Sequence, residues 1–502
     1  MGIKKNYVFG ALLFFAIKTF AQQTPNVIYI YADDLGYGDL SCYGATKIKT
    51  PNIDRLAAQG ARFTNAHTTS ATCTPSRYAL MTGRYPWRQQ GTGVLPGDAA
   101  LIIPANKITL PKVFKKAGYQ TAVIGKWHLG IGTAVEKNWN APITPGPNET
   151  GFDYSFIFPA TADRVPTVFL ENQMVVGLDP NDPIEVNYSK KIGNEPTGKD
   201  NPELLKMIAS PNHGHNQTII NGIGRIGYMS GGKKARWTDE EITFTFLDKA
   251  KQFIEANKKH PFFLYFAATE PHVPRMPATM FKGSSSLGYR GDAILQLDWL
   301  VGEILKQVET AGLAKNTMII FTSDNGPVLD DGYEDGAVTQ LNGHTPLGSL
   351  RGGKYSAFEG GTRVPFIIRW PGKISATVSP ALVSQIDLLA SFAKLLNIPV
   401  PVGDAIDSED QLNALLGKSA AGRKIYVEQG GALAVIQNEW KYITPSNGEA
   451  FFKLTSIESG NSSKAQLYNL KDDPGEKNNL ADQYQEKVKE METILKKIKE
   501  KN

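Results

Sequence analysis

The stretch NVIYIYADD, from Asn26 to Asp34, decides how the rest of this sequence is read. It is a short, unbroken apolar run rich in Ile, Val and Tyr. Such a run predicts a strand buried on both faces, as in a parallel sheet. It ends on two adjacent carboxylates. Three further runs share this form: QTAVIGKWH from Gln120, PFFLYFAATEPH from Pro261 and TMIIFTSDNG from Thr317. Helical patterns precede each of them: LPKVFKKAG, FLDKAKQFIEANKK and AILQLDWLVGEILKQVETAGL. VPFIIRWPG from Val364 offers a fifth strand. Helix-then-strand alternation predicts an α/β fold, with a mostly parallel central sheet and helices on both faces.

Ligands of open parallel sheets bind outside the carboxyl ends of the strands. The four runs deliver Asp33 and Asp34, Lys126 and His128, Glu270 and His272, and Asp324 and Asn325 to that edge. Asp33, Asp34, Asp324 and Asn325 form an all-oxygen set, which suits a hard cation such as Ca²⁺ or Mg²⁺ rather than zinc. Lys126, His128, His272, Arg77 and Lys354 suit a tetrahedral anion whose charge must be neutralised during transfer. Each has a bland reading alone, as a turn, a cap or a structural histidine. The convergence of four separate segments is what argues for a site.

The remaining chain bounds the answer. The 502 residues carry 54 Lys+Arg against 49 Asp+Glu, a net charge of +5. That is too mild to point to nucleic acid. Lys4 and Lys5, the apolar YVFGALLFFAI and KTFAQQ predict a signal peptide over 1–21, cleaved after Ala21, with export to the periplasm. The apolar stretch is short for a membrane span. Between Gly132 and Arg236 the chain is rich in Asn, Pro, Gly and Asp, and reads as long loops over the sheet rim. A boundary near NIPVPVGDAIDSED predicts a catalytic domain over 24–400 and a C-terminal α+β subdomain over 401–502, with a short antiparallel sheet and a terminal helix. GIGRIG follows no convincing strand, LLGKS lacks the upstream glycine of a phosphate loop, and HGH (His213, His215) has no acidic neighbour. None is taken as a cofactor motif.

Only two cysteines occur, Cys42 and Cys73. In an exported chain they are either one disulfide or, the favoured reading, a small buried residue and a cysteine kept for chemistry. Cys73 opens CTPSRYALMTGR, which resembles the C-x-P-x-R…T-G-R signature of the formylglycine-dependent sulfatases, within the alkaline phosphatase superfamily. ADDLGYGDL, TPNIDRLAAQGARFTNAH, GKWHLG, PHVP, SDNG, RGGK, EGGTRVPFIIRWPG and LYNLKDDPGEKNNLA follow in the order of that family. The texture is similar to that of bacterial exported carbohydrate sulfatases.

The resemblance implies that a maturation enzyme, reading Cys73, Pro75 and Arg77, oxidises Cys73 to formylglycine. It implies one Ca²⁺, in preference to Mg²⁺, held by Asp33, Asp34, Asp324, Asn325 and residue 73. One hydroxyl of the hydrated aldehyde would attack sulfur, and the second would let the aldehyde reform and expel sulfate. His128 would be the base for that expulsion, His272 and Lys354 the leaving-group acid and sulfate clamp, and Arg77 and Lys126 the orienting groups. Where the family often has a serine after GKWHLG, this sequence offers Thr161. Candidate sugar contacts are Asp163, Arg164, His213, His215, Glu334, Asp335, His344 and Arg351. The expected substrate is a sulfated galactose or N-acetylgalactosamine unit of a glycan. Two alternatives remain at this level: a phosphate or phosphonate monoester hydrolase on the same scaffold, and a catalytically silent glycan-binding protein.

Overall fold

The structure, a computed structural model, describes residue 2 and residues 24–134, 136–210 and 213–501. The expected leader, apart from Gly2, and its cleavage point lie outside the described residues. No helix among the described residues is long and apolar enough to cross a membrane.

Among the described residues the main sheet has ten strands. In chain order they are β1 (Asn26–Ala32), β2 (Ala61–Phe63), β3 (Gln120–Lys126), β4 (Tyr154–Phe158), β5 (Leu170–Glu171), β6 (Met174–Val175), β7 (Phe262–Ala267), β8 (Thr317–Ser323), β9 (Phe366–Arg369) and β10 (Thr377–Ser379). They lie side by side in the order β10-β2-β9-β8-β1-β7-β3-β4-β5-β6. The five central strands, β8-β1-β7-β3-β4, are all parallel. The unbroken apolar runs follow from burial on both faces. Val27, Tyr29 and Tyr31 enter one core, while Ile28, Ile30 and Ala32 enter the other. Helix α1 (Pro51–Ala58), α4 (Ile242–Ala256) and α5 (Gly288–Thr310) cover the second face. Helix α2 (Cys73–Thr82), α3 (Leu110–Lys116) and α6 (Leu388–Leu395) cover the first. The threonine N-cap of α3 accepts from the Lys112 N–H at 3.3 Å, and Gly118 follows its end with φ +83°.

Two expectations need correction. The 132–236 segment is not loop throughout. It supplies β4, a full parallel neighbour of β3 with Val123 beside Ser155 and Lys126 beside Phe158. It also supplies short antiparallel ribbons, among them Glu185–Asn187 with Tyr228–Ser230. The strand from VPFIIRWPG, β9, pairs antiparallel with β8, so the sheet turns mixed at that edge.

The C-terminal part forms a separate antiparallel sheet of β11 (Ile425–Gln429), β12 (Leu433–Gln437), β13 (Trp440–Ile443) and β14 (Gln466–Asn469). Helix α7 (Gln485–Glu500) packs Met491 and Leu495 against it. Ala405, Ala414 and Leu415, just beyond residue 400, pack into the main core instead. Strand β11 reaches the main domain directly. The Gln429 carbonyl accepts from the Ala71 N–H, and the Gln429 N–H donates to the Thr69 carbonyl, both at 2.9 Å. That loop leads straight into Cys73.

Candidate active site

Cys73 is the first residue of α2, and every residue of that helix is buried. Its polar side chains are accommodated by local bonds. Ser76 Oγ donates to the Ser70 carbonyl at 2.8 Å, and Thr74 Oγ1 donates to the His128 carbonyl at 3.1 Å. Gly83 ends the helix at φ +63°, where an added Cβ would lie 2.7 Å from that of Ala405. The N-terminus of α2 thus meets the carboxyl edge of the parallel strands. One turn on, Arg77 is wholly buried. Its Nε and Nη2 donate to Asp324 Oδ2 at 3.0 and 2.8 Å, its Nη1 donates to the Lys126 carbonyl at 3.1 Å, and its guanidinium lies 4.9 Å from the Tyr31 ring centre.

The strand-end residues converge as the sequence predicted. Lys126 Nζ donates to both oxygens of Asp33 at 2.8 and 2.7 Å. Lys354 Nζ donates to Asp34 at 2.8 Å and to Asp331 at 2.7 Å. Asn325 Nδ2 donates to Asp34 Oδ1 at 2.7 Å, and His272 Nε2 stands 3.8 Å from Asp34 Oδ2. Asp34 at φ 62° and His128 at φ 53° adopt left-handed backbone without being glycine. Such strain clusters at functional sites, where surrounding contacts hold it in place.

Burial shapes the ionisation. It drives His128 and His272 well below the usual histidine range, helped by neighbouring Lys126 for the first and by Lys354 and Lys126 for the second. Both rings are therefore neutral. Burial likewise raises the Cys73 thiol, with Lys126 and Lys354 opposing it. Burial would deprotonate Lys354, but Asp331 and Asp34 outweigh it and hold the ammonium well above its ordinary value.

The donor set fits a hard cation. Asp33, Asp34 and Asp324 bring carboxylate oxygens, and the buried Asn325 Oδ1 has no hydrogen-bond partner among the described residues. Asp33, Asp34 and His272 also present ligand atoms within 4.8 Å of one another.

A cavity of about 280 Å³ opens on this centre, lined by Cys73, His272, Lys354, Asp163, Arg164, His213 and His215 among others. Asp163 Oδ2 lies 3.0 Å from His215 Nε2, and Arg164 Nη1 lies 3.2 Å from Asp163 Oδ1. His213 Nε2 lies 3.0 Å from the Leu454 carbonyl. A model of the Sulfatase family matches residues 25–398.

The chain belongs to the sulfatase family. An N-acetylgalactosamine-6-O-sulfatase of Bacteroides thetaiotaomicron is 56% identical over 480 residues, covering 95% of this chain and 94% of that protein. Human arylsulfatase A is 31% identical over 484 residues, covering 93% and 86%. A solved structure described under the metabolism of multiple glycosaminoglycans by B. thetaiotaomicron superposes with a TM-score of 0.94 at 56% identity, covering 95% of this chain and 99% of that one. The protein is a sulfuric ester hydrolase, and these sulfatase relatives favour a sulfate ester over the phosphate and phosphonate alternative and over a silent binding protein.

Several expected sugar contacts of this sulfatase sit elsewhere. Arg351 is tied to Glu458 at 2.7 and 2.9 Å and lies 4.0 Å over the Phe358 ring, so it joins the C-terminal sheet region to the main domain. Glu334 is exposed outside the cavity lining. Asp335 pairs with Arg275 at 2.7 Å, and His344 with Asp39 at 2.8 Å; both are buried structural pairs. Thr161 stands behind the lining, its hydroxyl accepting from Arg164 at 2.6 Å. Sequence reading missed Asp331, Tyr355, Leu454 and Thr455, all of which line the cavity. The acidic run around Asp331 was the one available signal.

Proposed function

We propose that this sulfatase removes the 6-O-sulfate from N-acetylgalactosamine, one exposed sugar at a time. The observation that carries this is the 56% identity, over nearly all of both chains, to an N-acetylgalactosamine-6-O-sulfatase. The cavity supports action on a single terminal sugar. At about 280 Å³ it falls at the small end of ligand sites, and the buried Cys73 lines it.

In this reading Asp33, Asp34, Asp324 and Asn325 hold Ca²⁺, and Cys73 is matured to formylglycine by a separate enzyme. The cation would withdraw charge from a sulfate oxygen and favour an ionised hydroxyl on the hydrated aldehyde at residue 73. The chain's own residues do the rest. Four acidic side chains, Asp33, Asp34, Asp324 and Asp331, face three basic ones, Arg77, Lys126 and Lys354. Counted fully ionised and before the hydroxyl loses its proton, this set with a divalent ion carries one positive charge, which draws in a sulfate monoester anion. Arg77 and Lys126 are clamped by carboxylates and hold the floor rigid. Lys354, kept protonated, reaches the cavity and neutralises sulfate oxygens. His272 stands at the wall with Nδ1 donating to the Val273 carbonyl at 2.7 Å, so Nε2 is the basic nitrogen; a proton taken up there as the sulfate anion enters would be the one passed to the departing sugar oxygen. His128, buried with Nδ1 unpartnered and Nε2 at 2.9 Å from the Leu95 carbonyl, has a free basic position for the expulsion step. We also place the enzyme in the periplasm, on the strength of the signal-like leader.

The test is sulfate release from a panel of 4- and 6-sulfated N-acetylgalactosamine, 6-sulfated galactose and the matching phosphate esters. Release from N-acetylgalactosamine 6-sulfate above the others supports the proposal. Preference for the 4-sulfate, or for a phosphate ester, would overturn it.

A further inference from the structure

Residues Phe451–Phe452 and Ile457–Glu458 form a small antiparallel hairpin whose tip, 453–456, overhangs the cavity. It lies beyond the 25–398 segment matched by the family model. The hairpin is held on several sides. The Leu454 carbonyl lies 3.0 Å from His213 Nε2, the Phe452 ring packs edge-on to Tyr355 at 6.3 Å, and Ser356 Oγ donates to the Glu458 carbonyl at 2.6 Å. Ser456 turns the tip at φ 55°, a left-handed conformation that serine rarely adopts. The tip is thus fixed in place and not a loose loop.

Two side chains of that tip line the cavity without a structural task there. Thr455 lines the cavity, while its Oγ1 is turned inward, buried, and has no hydrogen-bond partner among the described residues. Leaving a buried hydroxyl unpaired is costly, and a turn about χ1 that brings this one to the cavity breaks no hydrogen bond and gains one from a ligand. Beside it, Leu454 stays half exposed at the mouth, an apolar surface with nothing over it. A hydroxyl next to a leucine matches a ligand group that is polar on one side and methyl-capped on the other.

We propose that Leu454 and Thr455 recognise the acetamido group of the sugar, Thr455 by hydrogen bonding to the amide and Leu454 by covering its methyl. This rests on the N-acetylgalactosamine reading and assigns its sugar selectivity to two residues of the C-terminal hairpin. Galactose carries only a hydroxyl at that position, so it engages neither residue fully. The two residues are specificity determinants and take no part in sulfate transfer.

The experiment measures kcat/KM on N-acetylgalactosamine 6-sulfate and galactose 6-sulfate for the wild type, Thr455→Val, Thr455→Ser and Leu454→Ala. Thr455→Val should lose roughly tenfold on the acetylated sugar and change less than about twofold on galactose 6-sulfate. Thr455→Ser keeps the hydroxyl and should restore most of the loss. Leu454→Ala should show a smaller loss with the same selectivity. Equal losses on both sugars would overturn the inference and leave the 6-sulfate reading intact. A wild type that handles both sugars equally would overturn the inference. A wild type that releases sulfate from neither would overturn both.

Discussion

Replacing Lys441 by methionine tests the link between the C-terminal sheet and the active site. Lys441 is fully buried, with Glu359, Glu428 and Glu476 at 2.9, 3.0 and 3.4 Å. Glu428 also meets His67 Nδ1 at 2.6 Å, and the Glu476 carboxylate accepts from the Glu359 N–H at 2.6 Å. Methionine preserves much of the volume but removes the shared cation. Among the described residues, the basic neighbours then left to the three carboxylates are His67 and Arg363, the latter 3.3 Å from Glu359. Breaking a buried pair this way costs about 3–5 kcal/mol. The pH dependence has a definite sign. Burial lifts Glu476 to about 8 despite Lys441, so its contribution to stability is present in acid and lost as pH rises towards 8. Glu359 behaves oppositely. Lys441, with His67 and Arg363, outweighs burial and lowers it to about 2, so its contribution is present at neutral pH and lost in strong acid. Removing Lys441 deprives Glu359 of that support, and both carboxylates then favour protonation. Urea unfolding followed by tryptophan fluorescence should show a loss of about 3–5 kcal/mol near pH 7.5, falling by half or more near pH 5.5. A loss below about 1 kcal/mol, or one independent of pH, would refute the reasoning. Because Gln429 bonds the loop before Cys73, turnover should fall along with stability.

Other outcomes follow from the same geometry. Calcium at a hundredfold excess over its Kd should stabilise the wild type by about 2.7 kcal/mol, read as a shift in thermal midpoint after chelator treatment. Asn325→Ala should need more calcium for the same shift; an unchanged calcium titration would remove Asn325 from the ligand set. Arg351→Ala should lower stability by about 1 kcal/mol through the lost Glu458 pair and Phe358 contact, and leave KM within about twofold. A tenfold rise in KM would restore Arg351 as a substrate contact.

Much of the architecture was legible because four buried strands read as unbroken apolar runs, each ending in chemistry. β4 was not, since YSFIF is only five residues long and lies in a segment dominated by Asn, Pro and Gly. Helix α2 was hidden for a different reason. Thr74, Ser76 and Arg77 look solvent-facing but are buried through local hydrogen bonds and the Asp324 pair. The convergence of Asp33, Asp34, Lys126, His272, Asp324 and Asn325 was readable because strand ends place them whatever the loops do. Asp331, Leu454 and Thr455 were not, since their position depends on how loops fold over the edge. The cluster around Lys441 escaped notice because its members are scattered, with His67 and Glu428 361 residues apart. Arg351 misled because a lone arginine serves a carboxylate of the chain as readily as one of a substrate.

The central claim is that residue 73 carries the reaction. Its most direct measurement is the rate of sulfate release from N-acetylgalactosamine 6-sulfate by protein whose residue 73 is shown by peptide mass to bear the aldehyde, set beside Cys73→Ala. The account predicts steady release by the first and none above background by the second, with both proteins equally folded. Equal release by the alanine variant would contradict it.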